Sequence, residues 1–345
     1  MSRVAPTSVA EVTSLIEEAR GAHRPLWFSG SGTTPVPDGH TVIGTENLTG
    51  VVDYRPDDLT IVVQPGTTLA ELAETLGVHR HTAVLPETAP TRTVGGVIAA
   101  GASGYCRHRY GPTRDRVIGV TLVAGYGEVV HAGGQLVKNV TGYDIPRLVT
   151  GSHGALGFIA EIYLKLWPSP EKGTTIAVSD IAQARDTIYQ PTAALETENG
   201  GFVYISGSLA SVNAQADSLE GSAWDGLLWP DPLEENIVAA INVPPRFVPD
   251  AVNRVRDVGA SRFVAQHGVG VVDVGWSDID AGHISELRSW AEANGGSLAL
   301  HRRGSLGDGV PRWGLAPGTA AIQRRLKHLF DPDGVCNPGV LAGNV

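Results

Sequence analysis

The sequence predicts an α+β protein of two domains. Short runs of alternating apolar residues are interspersed along the chain with stretches of helical periodicity. Glycine-rich loops are concentrated in the first half, and a proline-rich segment at residues 167–173 separates that half from the rest. The length of 345 residues also fits two domains of ordinary size. We therefore place the first domain at residues 1–171, the second at 172–315, and a terminal segment at 316–345.

The first domain begins with a helix, predicted over residues 8–20. Val12, Ile16 and their apolar neighbours recur there at helical spacing, behind a Thr/Ser cap and before Gly21. A strand at 26–28 then runs directly into a glycine-containing loop at 29–34. The later elements are strands at 41–43, 50–53 and 59–63, a helix at 69–76, a hairpin from 117–123 and 128–131, and a strand at 160–166.

The second domain has few glycine motifs, and its short strands alternate with helical stretches. This pattern is typical of an α+β domain without a phosphate-binding loop. The strands are predicted at 174–178, 201–205, 263–265 and 270–274, and the helices at 181–189, 210–219 and 281–293. A last helix at 319–330 leads into a tail rich in turn-forming residues.

Composition excludes several classes of protein. The net charge of −10 opposes a sequence-independent grip on a phosphate backbone, so nucleic acid is not expected as a partner. Cys106 and Cys336 are the only cysteines, which excludes a disulfide framework and a cysteine-rich metal cluster. No apolar run reaches the ~18 residues of a membrane span, and the first residues lack the apolar core of a signal peptide. We therefore expect a cytoplasmic protein.

Two glycine-rich loops are candidates for contact with an anionic group. The first, residues 29–34, begins like a Rossmann fingerprint, but Pro35 replaces the third glycine and no helix can follow. Its backbone N–H groups can still form an anion nest, although a simple tight turn explains the sequence equally well. In the second, residues 93–104, Gly95 and Gly96 cost ~1 kcal/mol each in a helix, and either close packing or a bound group must offset this. Two such loops in one β-rich domain favour a dinucleotide.

The order of these segments resembles the FAD-binding domain of the p-cresol methylhydroxylase/vanillyl-alcohol oxidase flavoproteins (PCMH/VAO type). The likeness rests on residues 28–33, 85–87, 93–96, 100–104 and 151–159. Within that superfamily the chain is most similar to the FAD-binding subunits of bacterial glycolate oxidases, through residues 138–144, 148–157 and 330–339. The resemblance implies a PCMH/VAO-type FAD domain, a smaller α+β cap domain, and a C-terminal segment that returns to the FAD domain.

The resemblance also implies which residues contact FAD. In the first loop these are Ser29, Gly30, Ser31, Gly32, Thr33 and Thr34; around the second loop they are Pro86, Glu87, Thr93, Gly95, Gly96, Ala100, Ala102 and Ser103; further along they are Tyr110, Gly111, Arg114, Asp115, Gly157, Ile159 and Asn337. Neither loop contains a histidine or cysteine at the positions where relatives form a covalent flavin bond. We therefore expect FAD to be bound non-covalently.

Four residues are candidates for contact with substrate. Lys138, Asn139 and Tyr143 lie in a loop that the family places at the rim facing the substrate or a partner, although Tyr143 can equally be part of a turn. Arg302 is a candidate for the carboxylate of a 2-hydroxy acid, because a guanidinium matches that group bidentately. Related catalytic subunits carry a histidine pair and a Glu-His-Gly segment; here His267 follows a glutamine, so we expect no metal site.

As the resemblance implies, the protein is the FAD-binding subunit of a glycolate oxidase-type 2-hydroxy-acid dehydrogenase. It would then hold the flavin for hydride and electron transfer beside a catalytic flavoprotein subunit and an iron–sulfur subunit, with possible peripheral membrane association through the complex. Two alternatives stay open: a stand-alone FAD-dependent oxidoreductase acting on a small hydroxylated substrate, and a flavin-free interaction module that retains the fold.

Overall fold

The computed structural model describes residues 2–32, 35–135, 143–314 and 319–341. These residues form ten α-helices and eighteen β-strands. The helices are α1 (Val9–Gly21), α2 (Leu69–Gly77), α3 (Val94–Ala100), α4 (Arg107–Tyr110), α5 (Ile145–Val149), α6 (Ile181–Thr187), α7 (Leu209–Ala216), α8 (Val248–Asp257), α9 (Ala281–Ala293) and α10 (Thr319–Phe330).

The strands are mostly short. They are β1 (Arg3–Val4), β2 (Leu26–Ser29), β3 (Thr41–Gly44), β4 (Val51–Arg55), β5 (Thr60–Val63), β6 (His81–Thr82), β7 (Val117–Ala124), β8 (Val129–Gly133), β9 (Gly157–Lys165), β10 (Trp167–Pro168), β11 (Lys172–Val178), β12 (Ala193–Thr197), β13 (Gly200–Gly207), β14 (Ala223–Asp225), β15 (Ile237–Asn242), β16 (Arg262–Gln266), β17 (Val271–Trp276) and β18 (Ser297–Arg303).

The chain divides into two compact units. The first contains Met1–Gly104, Pro112–Ser169 and Pro317–Val345, and the second contains Tyr105–Gly111 and Pro170–Ala316. The sequence places its domain boundary at 171/172, close to the Ser169/Pro170 boundary between the units, but it gives no sign that Tyr105–Gly111 belongs with the second unit. Among the described residues, no helix is long and apolar enough to cross a membrane.

The first unit is built on two larger sheets, and β6 and β10 form a further antiparallel pair. An antiparallel sheet of five strands has the order β4-β5-β9-β7-β8, and a parallel sheet of three strands has the order β1-β3-β2. Ile61, Ile98 and Ile162 are fully buried where α2 and α3 pack against the larger sheet. Helix α1 buries Val12 and Ile16 in a second core beside the smaller sheet. Ser8 caps α1 by accepting the N–H of Glu11, so the predicted N-terminal cap is confirmed.

The second unit is one antiparallel sheet with α6, α7, α8 and α9 on one face and the segment Tyr105–Gly111, which contains α4, packed on the other. Its eight strands have the order β14-β11-β13-β12-β16-β17-β15-β18. Helices α6 and α7 cover one end of the helical face around Val203 and Ile205, and α8 and α9 cover the other end around Val274 and Trp276. The predicted α+β class is confirmed, but the sequence does not reveal β12, β14, β15, β18 or α8.

A buried ion pair fixes the C-terminal segment to the first unit. Lys327, on α10, donates to the Asp331 carboxylate at 2.6 Å and to the carbonyls of Ala155 at 2.8 Å and Cys336 at 2.5 Å. The Lys327 and Asp331 side chains are 8% and 0% exposed. Asp331 also accepts the backbone N–H groups of Val335 and Cys336, at 3.1 and 2.7 Å. The lysine charge is therefore neutralised and all three of its donors are used.

This arrangement makes the tail a partner of β2. The N–H of Leu26 donates to the Val335 carbonyl at 2.7 Å, and the N–H of Asn337 donates back to the Leu26 carbonyl at 3.0 Å. The Asn337 side chain accepts the N–H of Phe28 at 2.7 Å and donates to the His153 carbonyl at 2.9 Å. The C-terminal segment thus returns to the first unit, and it does so at the strand that ends in the first glycine loop.

Replacing Lys327 should destabilise the first unit. Lys327→Met leaves the Asp331 carboxylate buried without its cation, so we expect its unfolding free energy to fall by ~3–5 kcal/mol in urea titrations. Arg3→Met is the control, because the Arg3–Glu46 pair has a similar separation of 2.7 Å but is about half exposed, and its loss should cost less than ~1 kcal/mol. Equal effects of the two substitutions would contradict the role given to Lys327.

Candidate functional site

The first glycine loop leaves the end of a parallel strand pair. Strands β2 and β3 are in register so that Ser29 lies opposite Gly44. The chain continues from these residues into Gly30 and into Thr45, respectively, so both segments lie at the same edge of the sheet. The carboxyl ends of parallel strands form the crevice in which open α/β sheets bind ligands.

The two glycine-rich segments are in direct contact. A Cβ atom at Gly30 would overlap the hydroxyl of Thr93, so only glycine fits at that position. Thr93 is the N-cap of α3, and its hydroxyl accepts the N–H of Gly96 at 3.2 Å. The backbone of the loop at 29–32 therefore lies directly against the side chain that caps α3.

Gly95 brings α3 onto the turn that follows β5. Its N–H donates to the Pro65 carbonyl at 2.8 Å, and an added Cβ would lie 2.6 Å from the Pro65 Cβ. Close packing of this kind offsets the cost of glycine in a helix. Gly101 ends the helix in the left-handed conformation, with φ 63°. The low side-chain volume of residues 93–104 is thus explained without any bound group.

A third segment, residues 151–159, completes the site. The N–H groups of Gly151 and His153 donate to the carbonyls of Ile98 and Ala99 on α3, at 3.0 and 2.8 Å. Gly154 adopts φ +76°, and an added Cβ there would lie 3.0 Å from the Asn337 amide nitrogen. The ring of Phe158 meets that of Phe28 edge-on at 5.4 Å. All three segments are held by α3 or by the C-terminal tail.

The three segments enclose a small cavity of about 50 Å³ whose walls carry no charge. Its lining residues are Phe28, Ser29, Gly30, Thr45, Pro65, Gly95, Gly96, Ala99, Gly154, Gly157, Phe158 and Ile159. An anionic group placed here meets Ser29, Thr45 and the backbone of Gly30, with no carboxylate in the lining to repel it. The N–H groups of Gly95 and Gly96 are already engaged within the protein, by Pro65 and Thr93. The glycine cradle fits the pyrophosphate of a dinucleotide.

Several other residues predicted to contact the cofactor lie beside the start and end of α3. Gly104 has no room for a Cβ, because the Glu87 carboxylate lies against it. The Ser103 hydroxyl accepts the N–H of Thr113 at 3.0 Å, and the Thr113 hydroxyl donates to the Ala102 carbonyl at 2.7 Å. Asp115 pairs with Arg147 at 2.9 Å. Pro86, Ala100 and Arg114 belong to these same segments.

Other predicted residues lie elsewhere. Thr33, Thr34, Lys138 and Asn139 are outside the described residues. Tyr110 and Gly111 belong to the short segment of the second unit. Tyr143 is 94% exposed in the first unit. Arg302, on the edge strand β18, donates to the Glu235 carbonyl at 3.3 Å.

Sequence reasoning missed part of the cavity wall. Thr45 and Pro65 were not among the predicted contacts, and Phe28 and Phe158 were noted only as neighbours of glycines. Thr45 follows β3 as Gly30 follows β2, so a prediction that these strands are parallel partners would have identified it. Pro65 carries no local signal, because its place depends on the tertiary approach of Gly95.

In the second unit, His267 is hydrogen-bonded to a carboxylate. Its Nε2 lies 2.9 Å from the Glu196 carboxylate, which also accepts Arg256 at 2.9 Å. The hydrogen bond from His267 lowers the pKa of Glu196. On the opposite face of the sheet, Gln266 donates to Asp273 at 3.2 Å. Burial raises the pKa of Asp273 to about 6, against the opposing effects of Gln266 and Arg107.

Comparison with known proteins decides the family. A family model described as an FAD binding domain matches residues 2–133. Over 315 residues the chain is 30% identical to glycolate oxidase subunit GlcE of Escherichia coli strain K12, and the match covers 84% of each protein. The chain belongs to the FAD-binding oxidoreductase family that includes this subunit. FAD is therefore its cofactor, and the resemblance predicted from the sequence is confirmed.

Other members of the family match a smaller part of the chain. Glycolate oxidase subunit GlcD of Bacillus subtilis strain 168 is 32% identical over 55% of this chain and 42% of its own length. D-2-hydroxyglutarate dehydrogenase of Stutzerimonas stutzeri strain A1501 is 30% identical over 51% of this chain and 39% of its own length. The match therefore spans less than half the length of these two relatives.

The fold extends through both units. The structure of alkyldihydroxyacetonephosphate synthase superposes with a TM-score of 0.66 and covers 97% of this chain and 75% of the other. At 17% identity this likeness concerns the fold alone. It confirms the predicted PCMH/VAO-type architecture.

Gly30→Ala should weaken FAD binding, because its methyl group would displace Thr93 from the α3 cap. We expect the FAD dissociation constant, measured by quenching of flavin fluorescence, to rise at least about tenfold. Gly134→Ala is the matched control, since an added Cβ there meets no atom within 4 Å. Unchanged FAD affinity in Gly30→Ala would contradict this picture of the site.

Asp273→Asn should stabilise the second unit above pH 6. The native carboxyl, with its pKa of about 6, binds its proton more tightly than in the unfolded chain. The stability of the wild type therefore falls as pH rises from ~4 to ~6 and then stays level. The variant lacks that fall, so its melting temperature should exceed that of the wild type at pH 7.5 and converge with it near pH 4. A constant difference across this range would contradict the assignment.

Proposed function

We propose that the chain is the FAD-binding subunit of a glycolate oxidase-type 2-hydroxy-acid dehydrogenase and works with partner subunits. The observation that carries this proposal is the reciprocal 84% coverage between the chain and glycolate oxidase subunit GlcE. The match to GlcE is long enough to include much of the second unit. The match to D-2-hydroxyglutarate dehydrogenase covers only about half of the chain.

The first unit would hold the pyrophosphate of FAD through backbone groups. Ser29, Gly30, Ser31 and Gly32 would approach it from one side, and Thr93, Gly95 and Gly96 from the other. Glu87, Ser103, Gly157 and Ile159 would line the path of the rest of the cofactor. When bound, FAD supplies the redox chemistry, accepting a hydride from the carbon that bears the substrate hydroxyl. We propose non-covalent attachment, since neither loop offers a histidine or cysteine.

Asn337 would act by positioning rather than by direct contact. Both ends of its side-chain amide are engaged, by the Phe28 N–H and by the His153 carbonyl. It would therefore hold the first loop and the segment at 151–159 at a fixed separation.

Lys138, Asn139, Tyr143 and Arg302 remain the candidates for contact with substrate. Tyr143 is fully available, because it is 94% exposed and precedes Asp144, the N-cap of α5. Arg302 would have to leave the Glu235 carbonyl to form a bidentate pair with a substrate carboxylate.

The test is the reduction of bound flavin. The purified chain is loaded with FAD under anaerobic conditions, and glycolate, D-lactate and L-lactate are added in turn while absorbance near 450 nm is followed. The same titration is repeated with the complex obtained by co-expression with a GlcD-type flavoprotein and an iron–sulfur subunit. We expect flavin bands in the isolated chain that persist with all three acids, and bleaching by one acid in the complex.

Other outcomes would overturn the proposal. Bleaching of the isolated chain would instead favour a stand-alone oxidoreductase acting on a small hydroxylated substrate. Absence of flavin bands after incubation with FAD would contradict the flavoprotein assignment and favour an interaction module. Failure to form a complex would contradict the role as a subunit.

Tyr143→Phe and Arg302→Gln separate substrate contact from cofactor binding. If these side chains contact the acid, each should raise the Michaelis constant or lower the turnover of the complex about tenfold or more, with unchanged FAD affinity. Tyr189→Phe, at a tyrosine that is 75% exposed, is the control. Unchanged kinetics in Tyr143→Phe and Arg302→Gln would remove both residues from the site.

A further inference from the structure

The face of the eight-stranded sheet opposite α6, α7, α8 and α9 carries a cavity of its own. Residues 226–232 cross this face and are held at both ends. At one end, the Tyr204 hydroxyl donates to the Leu228 carbonyl at 2.8 Å, and the Thr175 hydroxyl accepts the Leu228 N–H at 2.9 Å. At the other end, Arg262 donates to the carbonyls of Asp231 and Pro232, both at 3.2 Å. Between these anchors the segment stands off the sheet and leaves a cavity of about 280 Å³.

The walls of this cavity are largely aromatic. Phe202, Tyr204, Trp224 and Trp229 all line it. Trp229 stacks on Tyr204 with 4.4 Å between ring centroids and 22° between planes. Cross-strand pairing places Trp224 and Tyr204 on either side of Thr175, whose small side chain leaves space between the two rings.

The volume limits what this cavity can hold. Sites for drug-sized ligands and cofactors are ~300–1,000 Å³. At about 280 Å³ the cavity is large enough for one compact group with a few attached carbons.

The charged residues in and around the cavity determine whether it attracts a cation or an anion. Residues 217–235 contain six carboxylates and no lysine, arginine or histidine. Asp231 and Glu198 line the cavity itself. Arg262 also lines it and pairs with Glu198 at 3.4 Å, so these two charges offset one another and Asp231 gives the three lining groups a net charge of −1. An anion such as a 2-hydroxy acid is therefore repelled, and a cation is attracted.

Aromatic walls and nearby carboxylates together define a class of ligand. The face of a tryptophan or tyrosine ring attracts a cation within ~6 Å of its centroid, and a weakly hydrated organic cation loses little on leaving water. We propose that this cavity binds a small organic cation, an alkylated ammonium or guanidinium group, on a small molecule. This ligand differs in charge from the proposed 2-hydroxy-acid substrate.

Two matched pairs of probes test the proposal on the full-length chain. Choline is compared with its neutral isostere 3,3-dimethyl-1-butanol, and methylguanidinium with neutral N-methylacetamide. Binding is followed by tryptophan fluorescence and by saturation-transfer NMR of the probe. We expect saturable binding of at least one cation, about tenfold or more tighter than its neutral partner and weakened by added salt.

Substitutions test whether the cation binds in this cavity. Trp224 is 43% exposed, so its replacement should leave the fold intact. Trp224→Ala should weaken cation binding about tenfold, Trp224→Phe by less than about threefold, and Asp231→Asn by several-fold. Tyr189→Ala, at an exposed aromatic residue outside the cavity, should leave binding unchanged.

Three results would overturn the proposal. The first is the absence of saturable binding by either cation, and the second is equal affinity for the neutral isosteres. The third is cation binding that survives Trp224→Ala. Each readout is independent of FAD and of turnover, so none of these results depends on the proposed enzymatic function.

Discussion

The buried Lys327–Asp331 ion pair is the interaction on which the flavin-binding unit depends. One ammonium group joins α10, the carbonyl of Ala155 and the carbonyl of Cys336. Asp331 in turn receives two backbone N–H groups of the tail. With the tail fixed in this way, Asn337 can span from Phe28 to His153 and hold two walls of the site. Burying a charge pair carries a large desolvation cost, so it contributes little net stability. Here the pair fixes the C-terminal segment beside β2.

The site that results is made of backbone rather than of charged side chains. Gly30 and Gly95 allow three segments to approach within hydrogen-bonding distance, and the cavity lining carries neither cation nor carboxylate. Such a site binds a phosphate through N–H groups whose positions are set by packing. Substrate specificity must come from other residues. A cofactor site without charged side chains is what we expect of the proposed subunit, which would hold FAD while a partner contributes to the chemistry.

Local signals in the sequence predicted the glycine loops and most helices. Gly30 and Gly95 were identified because glycine-rich loops leave a direct pattern, whereas Thr93 was identified through the family resemblance. Strand β15 was not predicted, because its first five residues are buried and show no alternation between apolar and polar positions. The burial of Lys327 was not predicted for a different reason. A lysine within a helix predicts a solvated side chain, and only tertiary structure supplies its three acceptors. Thr45 and Pro65 likewise depend on pairing between distant segments.

The most direct measurement is hydrogen–deuterium exchange of the purified chain with and without saturating FAD. The account predicts that FAD slows exchange of the amides at Ser29–Gly32. Protection confined to other segments, with the loop at 29–32 exchanging at the same rate in the presence of FAD, would contradict a backbone cradle for the flavin.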